Sequence, residues 1–304
     1  VELQAFLITF REALEALLIV GIITSYLKRV QRPEFNRYVW IGALLAVFAS
    51  LGLAIVFQVV LDGFASMGAE TYMKVSIMFI SAALLTQMVF WMAEQSKGMK
   101  DKATSKFDQF ITTGNVVGMI IHAFLVVLRE GVETVFFFAA ITGGDIGKAM
   151  QGWGAIGGIV VAGAVAYFFF KGTMKVSLSR FFQVSGFFII LIAAGLLVQG
   201  IAILQDMHIL GSVMPHLYDL TRFLPEHPID AEHFIRDTGT TPWFSGQVGI
   251  FFKALFGYSS SPSVEEVMVY WMYFASLWLL LRNRADKKQA AAAKPSPSDA
   301  HTAK

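Results

Sequence analysis

The chain of 304 residues contains no cysteine. That absence removes disulfides, thiolate metal sites and iron–sulfur clusters together. Charge is scarce as well: 15% of residues are Asp, Glu, Lys or Arg, where a soluble domain carries about 25%. Histidines number six. Four of them, His208, His216, His227 and His233, fall in one segment, and none has the His-x-x-x-His spacing of a metal site. No histidine pair sits where facing helices would ligate a haem, and the 13 methionines are scattered, so a soft copper(I) path has no support. A net charge of +2 implies no polyanionic partner, which argues against nucleic acid. No basic stretch precedes the first apolar run, so that run does not read as a signal peptide.

What is abundant is apolar: 56% of the chain is hydrophobic, with 28 phenylalanines. A helix needs roughly 20 apolar residues to cross a bilayer. Seven stretches qualify, at 3–27, 38–61, 72–93, 116–142, 152–170, 181–204 and 264–281. The expectation is an all-α integral membrane protein with seven transmembrane helices and the lipid bilayer as its solvent. Basic residues follow every odd-numbered span: Lys28, Arg29, Arg32 and Arg37; Lys97, Lys100, Lys102 and Lys106; Lys171, Lys175 and Arg180; then Arg282, Arg284, Lys287 and Lys288. The opposite loops hold Asp62 and Glu70, Asp145 and Lys148, and a long acidic segment. By the positive-inside rule the N-terminus is outside and the C-terminus cytoplasmic, in the cell (inner or plasma) membrane. Trp40, Trp91, Trp153 and Trp271 fall near span ends, where indole rings favour the interface.

Residues 1–282 read as one membrane domain with an outer loop at 205–264, and 283–304 as a disordered cytoplasmic tail. Within the outer loop, 248–252 reads as an amphipathic helix on the membrane surface. Gly154 and Gly158, four apart, read as a close helix-packing face, with a homo-oligomer contact as the alternative.

The charges that matter most are in the wrong place. Arg11-Glu12-Ala13-Leu14-Glu15 and Arg129-Glu130-Gly131-Val132-Glu133 each lie inside an apolar run. The likeness spreads outward from them. Ala5-Phe6-Leu7 matches Ala123-Phe124-Leu125, Trp40-Ile41-Gly42-Ala43 resembles Trp153-Gly154-Ala155-Ile156, and the stretch ending at Gln87 resembles the one ending at Gln199. The chain therefore reads as a repeat at 3–93, a second at 116–204, and one further helix. An odd number of spans per unit inverts the second copy. Such 3+3 inverted repeats bind substrate near the midplane, between the repeats, in transporters.

On a helix, Arg11, Glu12 and Glu15 share a face, as do Arg129, Glu130 and Glu133. Four carboxylates and two guanidiniums at one level form an oxygen-ligand cage for a hard cation. A salt-bridge knot that only locks the fold is the competing reading. It is the weaker one, because buried ion pairs stabilise poorly against apolar packing and intramembrane charges usually mark a pathway. Residue chemistry alone leaves iron, manganese, calcium and protons open. His122 falls back near the face of Glu133 and reads either as a lower step of the path or, preferably, as a packed histidine. Gln87 and Gln199 read as pathway residues or as inter-helix hydrogen-bonding groups. Glu94 and Asp108 read as solvated members of a basic inner loop.

An Arg-Glu-x-x-Glu motif in the first and fourth of seven spans resembles the oxidase-dependent iron transporter family, the ferric iron permeases of fungi and bacteria. The likeness covers the membrane part and includes Gly257-Tyr258 through Pro262-Ser263 before the last span. It implies a permease rather than an enzyme, with no resident cofactor and iron as the transported substrate. It further implies that Glu12, Glu15, Glu130 and Glu133 carry the iron, supported by Arg11 and Arg129. Its expected partner is an extracytoplasmic iron oxidase or a periplasmic iron-delivery protein. A permease for another cation, such as lead or manganese, is the second reading.

Overall fold

The computed structural model describes residues 2–95, 99–172 and 178–292, and these are helical almost throughout. In chain order the helices are α1 (Glu2–Arg29), α2 (Asn36–Ser66), α3 (Glu70–Gln95), α4 (Met99–Thr113), α5 (Val116–Thr142), α6 (Ile146–Met150), α7 (Trp153–Phe170), α8 (Leu178–Asp206), α9 (Pro228–Thr238), α10 (Gly246–Phe256) and α11 (Val264–Ala292). Each predicted span is occupied by one long helix.

By length and apolar composition five of these, α2, α3, α7, α8 and α11, can cross a membrane. The other two long helices, α1 and α5, carry the charged motifs. α2 shows what lipid as solvent means: Leu44, Phe48, Ile55 and Val59 are all exposed, and the buried residues are few, the small Gly42, Ala43, Ala46 and Ala54 with Val39 and Leu61.

Four pairings hold the bundle together: α1 with α7, α2 with α5, α3 with α8, and α1 with α5. The N-terminal half of α1 (Ala5, Ile8, Leu14) shares a core cluster with Val135 and Phe138 near the end of α5. The C-terminal half of α1 (Val20, Ile23, Leu27) clusters instead with Met119, Ala123 and Val127 near the start of α5. The two motif helices therefore run in opposite directions. The closest approaches use glycine. A Cβ on Gly158 would meet the Phe6 carbonyl and Phe10 amide of α1, and one on Gly131 would meet the Ser50 hydroxyl of α2. The Gly154–Gly158 face is thus taken up inside the chain, by α1.

Three stretches differ from expectation. Residues 99–113 form α4, whose Ala103 and Phe107 are buried against α1 and α5. Its apolar residues are spaced for one helical face, a pattern masked by the surrounding lysines. Asp108 is exposed, as expected, and also accepts a hydrogen bond from the Tyr26 hydroxyl at 3.0 Å. Lys97 and Lys175 lie outside the described residues, as do the side chains of Glu94 and Lys100.

The outer segment is folded rather than loose. His227 caps α9 through Nδ1, which accepts from the Ile229 amide at 3.1 Å, and Pro228 supplies the preset first turn. α10 packs on α8 and α1, where Gln4 donates to the Ala254 carbonyl at 3.3 Å. Glu226 ties the segment together, accepting from Lys253 Nζ at 2.9 Å and the Ser260 amide at 2.6 Å. Burial pushes its carboxyl up, but the Lys253 ammonium and the Ser260 amide outweigh that and hold it below the usual carboxylate range.

Finally, α11 continues through Ala292, well past the expected span end at 281, so the first part of the predicted disordered tail is helical. Its Ala-rich sequence favours helix strongly. Residues 293–304 lie outside the described residues.

Gly158 and Gly163 give opposite expectations for one chemical change. Gly158→Ala drives a methyl into the α1 backbone and should destabilise by about 1–3 kcal/mol. Gly163→Ala meets open space and should be neutral or slightly stabilising, because Ala is the better helix former. Thermal unfolding of the two purified variants in detergent checks both signs.

Candidate cation site

The two motifs meet in the middle of the bundle. On α1, Arg11, Glu12 and Glu15 are almost fully buried, at 1%, 2% and 1% exposure. Arg11 Nη2 lies 3.2 Å from Glu15 Oε1, Nη1 lies 3.6 Å from Glu12 Oε1, and Nη1 also donates to Met88 Sδ at 3.3 Å. On α5, Glu130 is buried, and Arg129 Nε donates to Glu133 Oε1 at 3.3 Å. The Arg129 guanidinium stacks 3.8 Å from the Trp91 ring centroid.

One carboxylate oxygen from each of Glu12, Glu130 and Glu133 lies within 4.8 Å of the other two. Two oxygens on opposite sides of a small cation, at about 2.0–2.2 Å each, would be about 4.2 Å apart. A small side-chain rotation therefore closes the group to coordination distance. Glu15 is not a member of this trio. It sits beside it, paired with Arg11 and within hydrogen-bonding reach of the Glu130 carboxyl.

Hydrogen bonding gives the chemical reading. Among the described residues, Glu12 Oε2, Glu130 Oε2 and Glu133 Oε2 are buried and accept no hydrogen bond, and Arg11 Nε is buried without a partner. Buried polar atoms are nearly always satisfied, so several orphaned acceptors in one place need an explanation. Convergent carboxylate oxygens suit a hard cation of high charge, whereas a protein donor would have satisfied them one at a time.

The halves of the site differ in access. The Arg11 side chain is sealed, whereas the side chains of Arg129 and Glu133 are 42% and 24% exposed. Those two line a cavity of about 310 Å³ between α3 and α5, with Leu84, Gln87, Met88, Trp91, Val132, Phe136 and Phe137.

Gln87 is thus close to the carboxylates, through this cavity. Gln199 is half-buried on α8 and is not among the cavity's lining residues. His122 packs edge-on to Phe107 and tilted against Phe110 of α4, ring centroids 5.6 and 6.0 Å away. Two of the four outer-segment histidines have local roles: His227 caps α9, and His216 Nδ1 lies 2.8 Å from Ser261 Oγ. Two residues that contact the motifs, Met88 and Trp91, were not legible as site residues. Trp91 read as an interface aromatic, and only its position four residues after Gln87 could have suggested otherwise.

An all-helical protein with long apolar helices, in which two Arg-Glu-x-x-Glu helices bring buried carboxylates together, has the make-up of a membrane cation transporter. Residues 2–216 match the model of the iron permease FTR1 family. The chain is 33% identical over 298 residues to the ferrous iron permease EfeU of Yersinia pestis, covering 96% of this chain and 99% of that protein. It is 32% identical over 270 residues to the EfeU of Escherichia coli O157:H7, covering 88% and 91%. No solved structure matches it. The chain belongs to the iron permease FTR1 family: it is a multi-pass membrane permease of an iron-transporting family.

If the trio ligates the cation, Glu130→Gln should weaken binding of ferric iron or gallium(III) by more than about tenfold, since even second-shell changes cost 10–100-fold. Gln199→Ala should leave binding unchanged. Isothermal titration of the detergent-purified variants separates the two.

Proposed function

We propose that the protein moves iron inward across the membrane, passing it through the carboxylates of Glu12, Glu15, Glu130 and Glu133. The observation that carries this reading is the meeting of Glu12 with Glu130 and Glu133, from two oppositely directed helices, with oxygens that lack hydrogen-bond donors. Glu12, Glu130 and Glu133 are the first ligands, and Glu15 is a reserve ligand released when Arg11 lets go. Arg11 and Arg129 offset the carboxylate repulsion while no cation is bound and withdraw as one enters.

Seven transmembrane helices in a 3+3 inverted repeat plus one, N-terminus outside, are part of the same reading. Helix packing supports it. An operation exchanging α1 with α5, α2 with α7 and α3 with α8 turns the α1–α7 pair into the α5–α2 pair and maps the α1–α5 and α3–α8 pairs onto themselves. α1 and α5 fall short of apolar spans only because of the motif charges, of which Arg11, Glu12, Glu15 and Glu130 are buried inside the bundle and Arg129 and Glu133 line the α3–α5 cavity. Alternating access around a fixed midplane site follows from such a repeat.

The EfeU relatives are named for ferrous iron, whereas an oxygen-only cage favours the harder ferric ion. External oxidation reconciles the two: ferrous iron gives up one electron to a partner oxidase outside the membrane, and ferric iron enters the site. The competing cargoes, lead and manganese, differ in their response to that oxidant.

Glu15→Ala and Glu133→Ala should abolish uptake of radiolabelled iron without loss of membrane-inserted protein. Arg11→Lys and Arg129→Lys should lower uptake more than abundance, because the planar guanidinium fork is lost. Uptake from ferrous iron should rise with an external oxidant. Persistence of uptake in both glutamate variants would refute the ligand assignment, and indifference to the oxidant would favour ferrous transport.

A further inference from the structure

Both motif arginines find a partner outside their motifs, and both partners come from one face of α3. Met88 and Trp91 are three residues apart and so share that face. Met88 Sδ accepts from Arg11 Nη1 at 3.3 Å, and the Trp91 ring centroid lies 3.8 Å from the Arg129 guanidinium carbon. Both residues line the α3–α5 cavity that reaches Glu133. The pseudo-equivalent helix has nothing comparable. Matching Gln199 to Gln87 sets Gly200 and Ile203 of α8 against Met88 and Trp91. Among the described residues, the uncharged partners of both arginines come from α3.

What unites the two partners is that neither carries charge. A guanidinium beside a carboxylate tends to a two-pronged contact with N–O distances of about 2.7–2.9 Å. Arg129 makes less than that: a single Nε contact to Glu133 at 3.3 Å. Its planar face is turned to Trp91, the best aromatic partner for a cation. A carboxylate in the place of Trp91 would hold the arginine equally well, but it would compete for the metal.

We propose that Trp91 is a positioning residue for cation binding. Its ring limits the Arg129 guanidinium to one contact, with Glu133 Oε1, leaving Glu133 Oε2 and Glu130 Oε2 free for the incoming ion, while Met88 takes up part of the hydrogen-bonding capacity of Arg11 Nη1. This rests on the glutamates being the cation ligands. Without the ring, Arg129 closes onto Glu133 with both prongs, and the cation must displace it. The consequence is weaker apparent affinity for iron, with no change in the number of working molecules. Because both arginines are held by one helix, any movement of α3 relative to α1 and α5 changes both contacts together.

The test separates ring electrons from ring volume. Tryptophan carrying one, two or three ring fluorines is inserted at position 91 of the full-length protein by nonsense suppression, and the concentration dependence of iron uptake is measured. Fluorination weakens the π face at nearly constant shape. KM for iron should climb stepwise along the series, by on the order of 2- to 5-fold overall, the range a partly exposed cation–π contact carries. Maximal rate and membrane abundance should hold. Trp91→Tyr should fall inside the series and Trp91→Leu at its weak end. A KM that is flat across the fluorinated series, or an effect confined to maximal rate or abundance, would overturn the proposal. Glu133→Gln is measured in parallel. If it loses uptake while the series is flat, only the role of Trp91 falls. If it transports as the unmodified protein does, the carboxylate site falls and the positioning role with it.

Discussion

Charged groups placed in the middle of an apolar bundle must find each other, and that requirement shapes this protein. Arg11 with Glu12 and Glu15, and Arg129 with Glu130 and Glu133, would be very costly facing lipid. Bringing α1 and α5 together in opposite directions lets each motif face the other. The rest of the bundle serves that meeting. α7 closes against α1 and α2 against α5 through glycines that allow backbone-close packing, and α3 supplies the uncharged partners of both arginines. The arginines do not use up the acids: three buried carboxylate oxygens, one from each converging glutamate, have no hydrogen-bond donor among the described residues. Buried ion pairs are weak stabilisers, so an arrangement that leaves them incompletely paired is better explained by binding than by stability.

The halves of the site are related in sequence but not equivalent in structure. The α1 motif is sealed, whereas the α5 motif opens onto the cavity beside α3. The proposed inverted repeat accounts for this difference, since in one conformation symmetric halves would open to both sides or to neither. Packing at the C-terminal end of α1 strengthens the asymmetry. There Leu27 and Phe107 are fully buried in a second core cluster, with α4 laid across α1 and α5.

Much of this was legible because bilayers punish ambiguity. A run of 20 apolar residues has few folds open to it, and each predicted span became a helix. The motif glutamates stood out because charge inside such a run needs a reason. What stayed hidden depended on tertiary contacts. α4 was masked because its buried face is only Ala103, Phe107 and near neighbours among lysines. Trp91 carried the signature of an interface residue, and nothing in sequence tells an indole facing headgroups from one facing an arginine. Glu15 was indistinguishable from Glu12 in its motif, although Arg11 holds it apart from the converging trio. The helical start of the C-terminal tail was misjudged because Ala-rich composition suits both a low-complexity tail and a helix.

The central claim is that the transported iron is ligated by glutamate oxygens from both motifs. X-ray absorption at the iron edge of the purified, iron-loaded protein tests it most directly. The account predicts a first shell of oxygen alone, with carboxylate carbons behind it, that is lost in Glu130→Gln. A shell containing histidine nitrogen or methionine sulfur, or one unchanged in Glu130→Gln, would contradict it.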